Sequence, residues 1–238
     1  LDGNSLARDG VTCTVCHQAQ PSNLGKAGSF SGRLDIRNER KIFGPFKDPV
    51  AMPMQMHTGY TPTHAAHISS SALCGACHTL YTQASGARSP FLEQAPYLEW
   101  RNSVYADEET KSASSRSCQE CHMPDAGPMR IARNPMGVDF IIAPRDNVRT
   151  HAFVGGNAFM LDLLRENAAE LGVTATPAAL QRAAAATRAQ LAHRSASIGL
   201  TNLRRTAAGI EFDVEVTNLS GHKLPSGYPS RRAWLQVD

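Results

Sequence analysis

Three short stretches hold most of the reactive chemistry of this sequence: Cys13-Thr14-Val15-Cys16-His17, Cys74-Gly75-Ala76-Cys77-His78 and Cys118-Gln119-Glu120-Cys121-His122. A porphyrin carries two vinyl groups on one edge, and two thiols separated by two residues reach both as thioethers when the chain turns helically. The His that follows is brought under the ring, where an imidazole nitrogen meets the iron. These stretches use all 6 cysteines, so none is left for a disulfide or a lone thiol. Zinc cages also use Cys-x-x-Cys pairs, but they do not require a His after the second Cys. Redox dithiols normally occur once, in a thioredoxin-like βαβ context that this sequence lacks. The spacing therefore predicts three covalently bound haem c groups. Cys13, Cys16, Cys74, Cys77, Cys118 and Cys121 are the attachment residues, and His17, His78 and His122 the proximal iron ligands.

Of the 9 His, six remain: His57, His64, His67, His151, His193 and His222. Neutral imidazole is the commonest distal partner of a low-spin haem, so three irons can draw on these six. His67 lies just before the second motif and shares its segment with His57 and His64, and at least one of the three is expected to be a ligand. His151 stands in an otherwise His-free stretch beside Phe153 and Gly155-Gly156, where backbone can approach a macrocycle closely. His222 sits in Gly221-His222-Lys223-Leu224-Pro225-Ser226-Gly227, a turn between two expected strands, where ligation competes evenly with a side chain satisfied locally. His193 falls late in a polar helix and reads as a surface or capping residue. The run Met52-Pro53-Met54-Gln55-Met56 offers thioethers that some cytochromes use as ligands, with Met54 and Met56 as reserves, though packing against a flat apolar ring is commoner. Arg231 and Arg232 would attract an anion or simply solvate a strand end.

The elements that must position these groups differ along the chain. Residues 1–157 are rich in Gly, Pro and Ser with weak helical periodicity, and read as a trihaem-binding domain, mainly α and irregular. Within it, Phe91 to Tyr105 reads as an amphipathic helix bearing Leu92, Leu98, Trp100 and Val104. Residues 158–197 form a helical segment. Phe159, Met160, Leu163, Leu164 and Leu171 recur at helical spacing up to Gly172, and Thr176-Pro177 opens an Ala-rich helix to about Ser197. From Ile198 the period becomes two, with Ile210, Phe212, Val214 and Val216 alternating with acids, and Trp234 to Val237 reads as another strand. Residues 198–238 are thus a small, incomplete β-sandwich-like segment. Three short strands are too few for an independent sheet, so the sheet is expected to be completed by another segment or another subunit.

The formal charge of +3 is spread among interspersed acids and bases, which gives no polyanion-binding surface and makes nucleic acid an unlikely partner. The longest apolar run, around Val138 to Ala143, is far short of the ~20 residues a membrane helix needs. Starting at Leu1 without an initiator Met or signal peptide, the chain reads as a processed protein or a segment of a longer product. Aromatic residues are only 6%. The macrocycles would have to supply much of the apolar interior, and residues 1 to 150 are expected not to fold without them.

Together with the three motifs, Ser71-Ala72-Leu73 before the second, Met123-Pro124 after the third and the terminal run from Gly221 to Leu235 resemble secreted multihaem cytochromes. The closest group is the assemblage of cytochrome c554, hydroxylamine oxidoreductase and pentahaem nitrite reductase. The resemblance implies His/His-ligated haems packed in close pairs, a periplasmic or extracellular location in a prokaryote, and a role in respiratory electron traffic. It also raises His67, His151 and His222 as distal ligands, with His57 next. The Cys-x-x-Cys-Lys catalytic site of the nitrite reductases is absent. The expected function is electron transfer, as carrier, conduit or subunit of an extracellular haem wire, with other redox proteins or further copies of the chain as partners. The alternative is a multihaem oxidoreductase acting on a small nitrogen or sulfur compound at one open haem.

Overall fold

The computed structural model describes residues 10–132, 142–228 and 231–237. The apolar piece that begins at Val138 falls largely outside them. The first and third motifs each form about one turn of helix, α1 (Cys13–His17) and α5 (Cys118–His122), whereas the second starts at the end of α3 (Ser71–Gly75) and runs on through Ala76 and Cys77 as a turn. Five-residue helices are unstable alone because nucleation costs more than one turn returns, so caps and neighbours hold them. Ser70 accepts the Ala72 N–H at 3.2 Å at the start of α3. At α5, Ser117 accepts from the Glu120 N–H at 3.3 Å while Glu120 accepts from the Ser117 N–H at 2.7 Å, a reciprocal capping box. The variable positions of the third motif therefore have a local purpose, since Glu120 lies between the two cysteines.

Between the motifs lie short strands that helix-length windows do not register. β1 (Lys41–Gly44) pairs in parallel with β2 (Thr61–His64), and β3 (Leu80–Thr82) pairs antiparallel with β4 (Phe91–Gln94). A helix α2 (Ala51–Thr58) carries the methionine run and ends at Gly59, whose φ of +71° suits a left-handed cap. Because of these strands the reading of a mainly α and irregular domain does not hold. Among the described residues the chain mixes seven α-helices, 29% helical, with small two-stranded sheets, 19% strand. The long helix expected from Phe91 to Tyr105 is likewise corrected. Phe91–Gln94 is strand, and only α4 (Pro96–Arg101) is helical, because Pro96 at the first helical turn starts a helix and cannot lie within one.

A small core gathers where α4 meets α3. Phe30, Tyr97 and Trp100 are buried together, with Ala72, Leu98 and Tyr105 packed around them. The Tyr97 and Trp100 rings stack at 6.0 Å, Tyr97 donates to Glu108 at 2.7 Å, and the Trp100 indole donates to the Arg116 carbonyl at 2.8 Å. This cluster explains the glycine inside the second motif. A Cβ on Gly75 would lie 2.5 Å from Tyr97 Cδ1, and Tyr97 is only 1% exposed. Gly75→Ala should therefore destabilise the holoprotein by about 1–3 kcal/mol, the usual cost of overpacking. Denaturant unfolding measures this, and a loss below about 0.5 kcal/mol would mean that the ring gives way freely.

Farther along, α6 (Ala158–Glu166) packs on α7 (Pro177–Arg194), with an ion pair between Arg188 and Asp162. Thr176 caps α7 as expected, accepting from the Ala179 N–H at 3.2 Å, and Pro177 takes the first helical position. The strands that follow, β5 (Ala196–Thr206) and β6 (Gly209–Asn218), form a hairpin with Ile198 opposite Val216 and Leu200 opposite Val214. Trp234 to Val237 is not a strand. Among the described residues it lines an open groove of 270 Å³ together with Ile198, Leu200, Phe212 and Val214 of the hairpin.

The interior is thin for the chain's size. A compact protein of 25.7 kDa exposes about 10,400 Å² by the area–mass scaling, whereas this chain exposes 16650 Å².

Candidate haem sites

His17 follows the second thiol of its motif on α1, and its Nδ1 lies 2.6 Å from the Phe43 carbonyl on β1. A carbonyl only accepts, so Nδ1 carries the proton and Nε2 keeps its lone pair, the tautomer a metal ligand needs. His122 on α5 repeats the arrangement, with Nδ1 2.5 Å from the Val154 carbonyl. Two unrelated backbone segments thus fix the tautomer of His17 and His122 in the same way.

Each of these rings faces another imidazole brought from far along the chain. The His17 and His151 centroids are 6.0 Å apart, and those of His122 and His222 are 6.3 Å apart with planes 14° from parallel. One iron between two imidazole nitrogens, about 2.0 Å from each with each nitrogen about 1.2 Å from its ring centre, would set the centroids about 6.4 Å apart. Both pairs therefore match the span of a bis-imidazole iron.

His222 comes from the loop after β6, which is docked on α4. Glu99 accepts from the Lys223 N–H at 2.8 Å and the Ser226 hydroxyl at 3.0 Å, and Tyr105 donates to the Leu219 carbonyl at 3.1 Å. Gly221 is pressed against Trp100, where a Cβ would come within 3.0 Å of Cδ1. The His222 Nδ1 faces the Lys223 carbonyl at 3.2 Å, again freeing Nε2. Burial holds the His222 pKa below the ordinary imidazole value, which favours the neutral, ligating form.

His78 is placed differently. Burial, and then the charges of His122 and His222, hold its pKa down, but among the described residues it forms no ring pair with another imidazole. His67 is half-buried and turns Nε2 toward the Ala19 carbonyl at 2.8 Å, with its ring edge-on to Phe43 at 5.2 Å. Only its Nδ1 is therefore left with a lone pair. His57 and His64 are exposed at the ends of α2 and β2, and His193 is exposed in the last turn of α7. Met52 and Met56 point to solvent, while Met54 is half-buried. Arg231 donates to the Ser226 carbonyl at 3.0 Å and so has a structural use.

The cysteines of the three motifs approach one another. Cys74 and Cys118 lie next to each other, and their interaction, with burial, pushes the Cys74 thiol up, while the same interaction lowers Cys118. Cys16 is raised first by burial and then by Cys77 and Cys13 nearby. Backbone contacts fix this closeness: Cys118 donates its N–H to the Ser71 hydroxyl at 3.0 Å, and the Gln119 amide donates to the Ile68 and Ser70 carbonyls at 3.1 and 2.9 Å. On the other side, the Gly32 N–H donates to the Ala76 carbonyl at 2.8 Å. All six thiols are free. Among the described residues no three His, Cys, Asp or Glu side chains converge on one point as a zinc cage requires.

The donor set fits haem at the first and third motifs, since each has two thiols on one helical turn, a proximal imidazole with Nε2 free, and a second imidazole across the right span. At the second motif the thiols and His78 fit, and among the described residues no second imidazole stands opposite His78. No family model, no characterised protein and no solved structure matches the chain.

Proposed function

We propose that this chain is a trihaem c-type cytochrome that transfers electrons, as a carrier, a conduit or a subunit of an extracellular haem wire. The observation that carries the reading is the pair of opposed imidazoles, His17 with His151 and His122 with His222, at the span of one iron. Bound haem iron would supply one-electron exchange between ferric and ferrous states. The chain's own part is to hold the ring: thiols at Cys13, Cys16, Cys74, Cys77, Cys118 and Cys121 fix its edge, and the imidazoles occupy the axial positions. With imidazole on both faces no position remains for a substrate, so the first and third sites are suited to passing electrons. The short list of buried hydrophobic side chains among the described residues supports the same reading, because three macrocycles would add apolar interior.

A second reading is favoured by one observation, the lack of an imidazole opposite His78 among the described residues. A haem there with an open face would make the chain an oxidoreductase acting on a small nitrogen or sulfur compound. A high-spin component that binds nitrite, hydroxylamine or sulfite in the untouched protein would move the assignment to that reading.

No helix among the described residues is long and apolar enough to cross a membrane. We place the protein in the periplasm or outside a prokaryotic cell, where thiols are handled oxidatively, with other redox proteins or further copies of itself as partners. The hairpin β5–β6 has Ile198, Leu200 and Ile210 more than 60% exposed and is the edge where another chain would join. Denaturing mass spectrometry of the protein recovered from the periplasmic or extracellular fraction should give the chain plus three haems. A mass equal to the bare chain, or holoprotein found only in the cytosol, defeats the reading.

A further inference from the structure

We propose that the segment Thr150–Val154 is a strap that ties imidazole ligation at the first site to the orientation of His122 at the third, so that the two sites respond together. The proposal rests on the haem reading above.

His151 faces His17, and three residues later Val154 grips His122 twice. The Val154 carbonyl accepts from the His122 ring at 2.5 Å, and the Val154 N–H donates to the His122 carbonyl at 3.0 Å. On the other side of His151, Thr150 donates both its N–H, at 2.9 Å, and its hydroxyl, at 3.1 Å, to the Pro124 carbonyl. Farther back, the Ala126 N–H donates to Val148 at 2.8 Å, and Met129 and Arg145 exchange backbone bonds at 3.0 and 2.7 Å. The residues just after the third motif and those leading to His151 therefore run as an antiparallel ribbon. A ligand for the first site is thus presented by a ribbon rooted on the third.

Between the clamps the backbone is strained. Phe153 has a φ of +45°, a region that bulky residues rarely enter and that persists only where the surroundings over-determine it. Its ring packs edge-on against His151 at 5.6 Å. Displacing His151 from the His17 axis therefore turns the peptide units whose carbonyl and N–H hold His122. The proton donated by a ligating His to its outer partner sets both the ring's orientation and its basicity, so the third site should feel any change at the first. By linkage the coupling also runs in the reverse direction for changes that move the His122 ring against Val154, whereas the His222 loop lies outside the strap.

Two mild substitutions test the strap in the holoprotein. Phe153→Gly relieves the positive φ and removes the ring on His151, and Thr150→Val removes one of the two bonds to Pro124. Mass spectrometry first checks that three haems are attached, and a missing haem would indict the haem reading rather than the strap. Electron paramagnetic resonance of the oxidised protein then follows the two low-spin signals, assigned beforehand with variants of His151 and His222. The expected result is that both signals shift together in each variant, whereas Gly221→Ala, which disturbs only the His222 loop against Trp100, shifts the third-site signal alone. Movement of one signal without the other in the strap variants, or of neither, overturns the coupling.

Discussion

Replacing His151 with alanine should turn one of the three haems high-spin, about a third of the total iron, and leave the signal that depends on His222 low-spin. His222→Ala should do the same at the third motif, and the double variant should convert both sites. The expectation follows from geometry. A distal imidazole acts only if its Nε2 lies on the proximal axis, and each of these two rings sits at the span of a shared iron from a His whose own tautomer is fixed by a carbonyl. His67 is the one other half-buried imidazole near the first site. It could replace His151 only by breaking its bond to Ala19 and turning against Phe43. His67→Ala should accordingly leave the first site low-spin. Spin quantitation by resonance decides the matter: a His151→Ala protein whose irons all remain as before would show that the His17–His151 pairing is not the ligand pair.

These pairings also mark the boundary of what the sequence makes legible. The proposed attachment residues and proximal His rest on the sequence alone, because Cys-x-x-Cys-His sets the spacing of its groups within five residues. The start of α7 at Thr176-Pro177 and the alternation along β6 are equally local and agree with the structure. His151 and His222 stand out as candidates through their neighbours, Phe153 and the glycines in one case and the Gly-Pro-rich turn in the other. Which proximal His each one faces is set by contacts between distant segments, such as Val154 on His122 and Glu99 on Lys223, and no local pattern carries that information. The strands β1 to β4 were not legible because three or four residues give too few alternations to establish a period of two. At Phe91 to Tyr105 the apolar spacing suggests one helix, and the decisive signal is Pro96, which outweighs it. Trp234 to Val237 has strand-like composition, yet it lines an open apolar groove beside β5 and β6 and does not form a strand.

Without attached haem, residues 1 to 150 should lose cooperative folding altogether, a larger effect than that of any single ligand change. Fixing the backbone costs about 1–2 kcal/mol per residue, and this region has little apolar burial to set against it. Among its described residues the buried hydrophobic side chains are Ala19, Phe30, Phe43, Leu73, Ala76, Tyr97 and Trp100, two of them only alanines. Three of its helices are the five-residue turns that carry the motifs, too short to persist alone. The protein with all six cysteines changed to serine isolates the contribution of attachment, since serine is close to cysteine in size and forms no thioether to a vinyl group. Circular dichroism of this variant should retain helical signal from α7, whose Ala-rich sequence and Thr176 cap favour helix by themselves. Amide exchange over residues 10–132 should be complete within the dead time of the measurement, while the holoprotein protects the helices of its three motifs. A serine variant that melts in one cooperative transition with protected amides around Tyr97 and Trp100 would mean that the small core suffices, and that the haems decorate a fold they do not create.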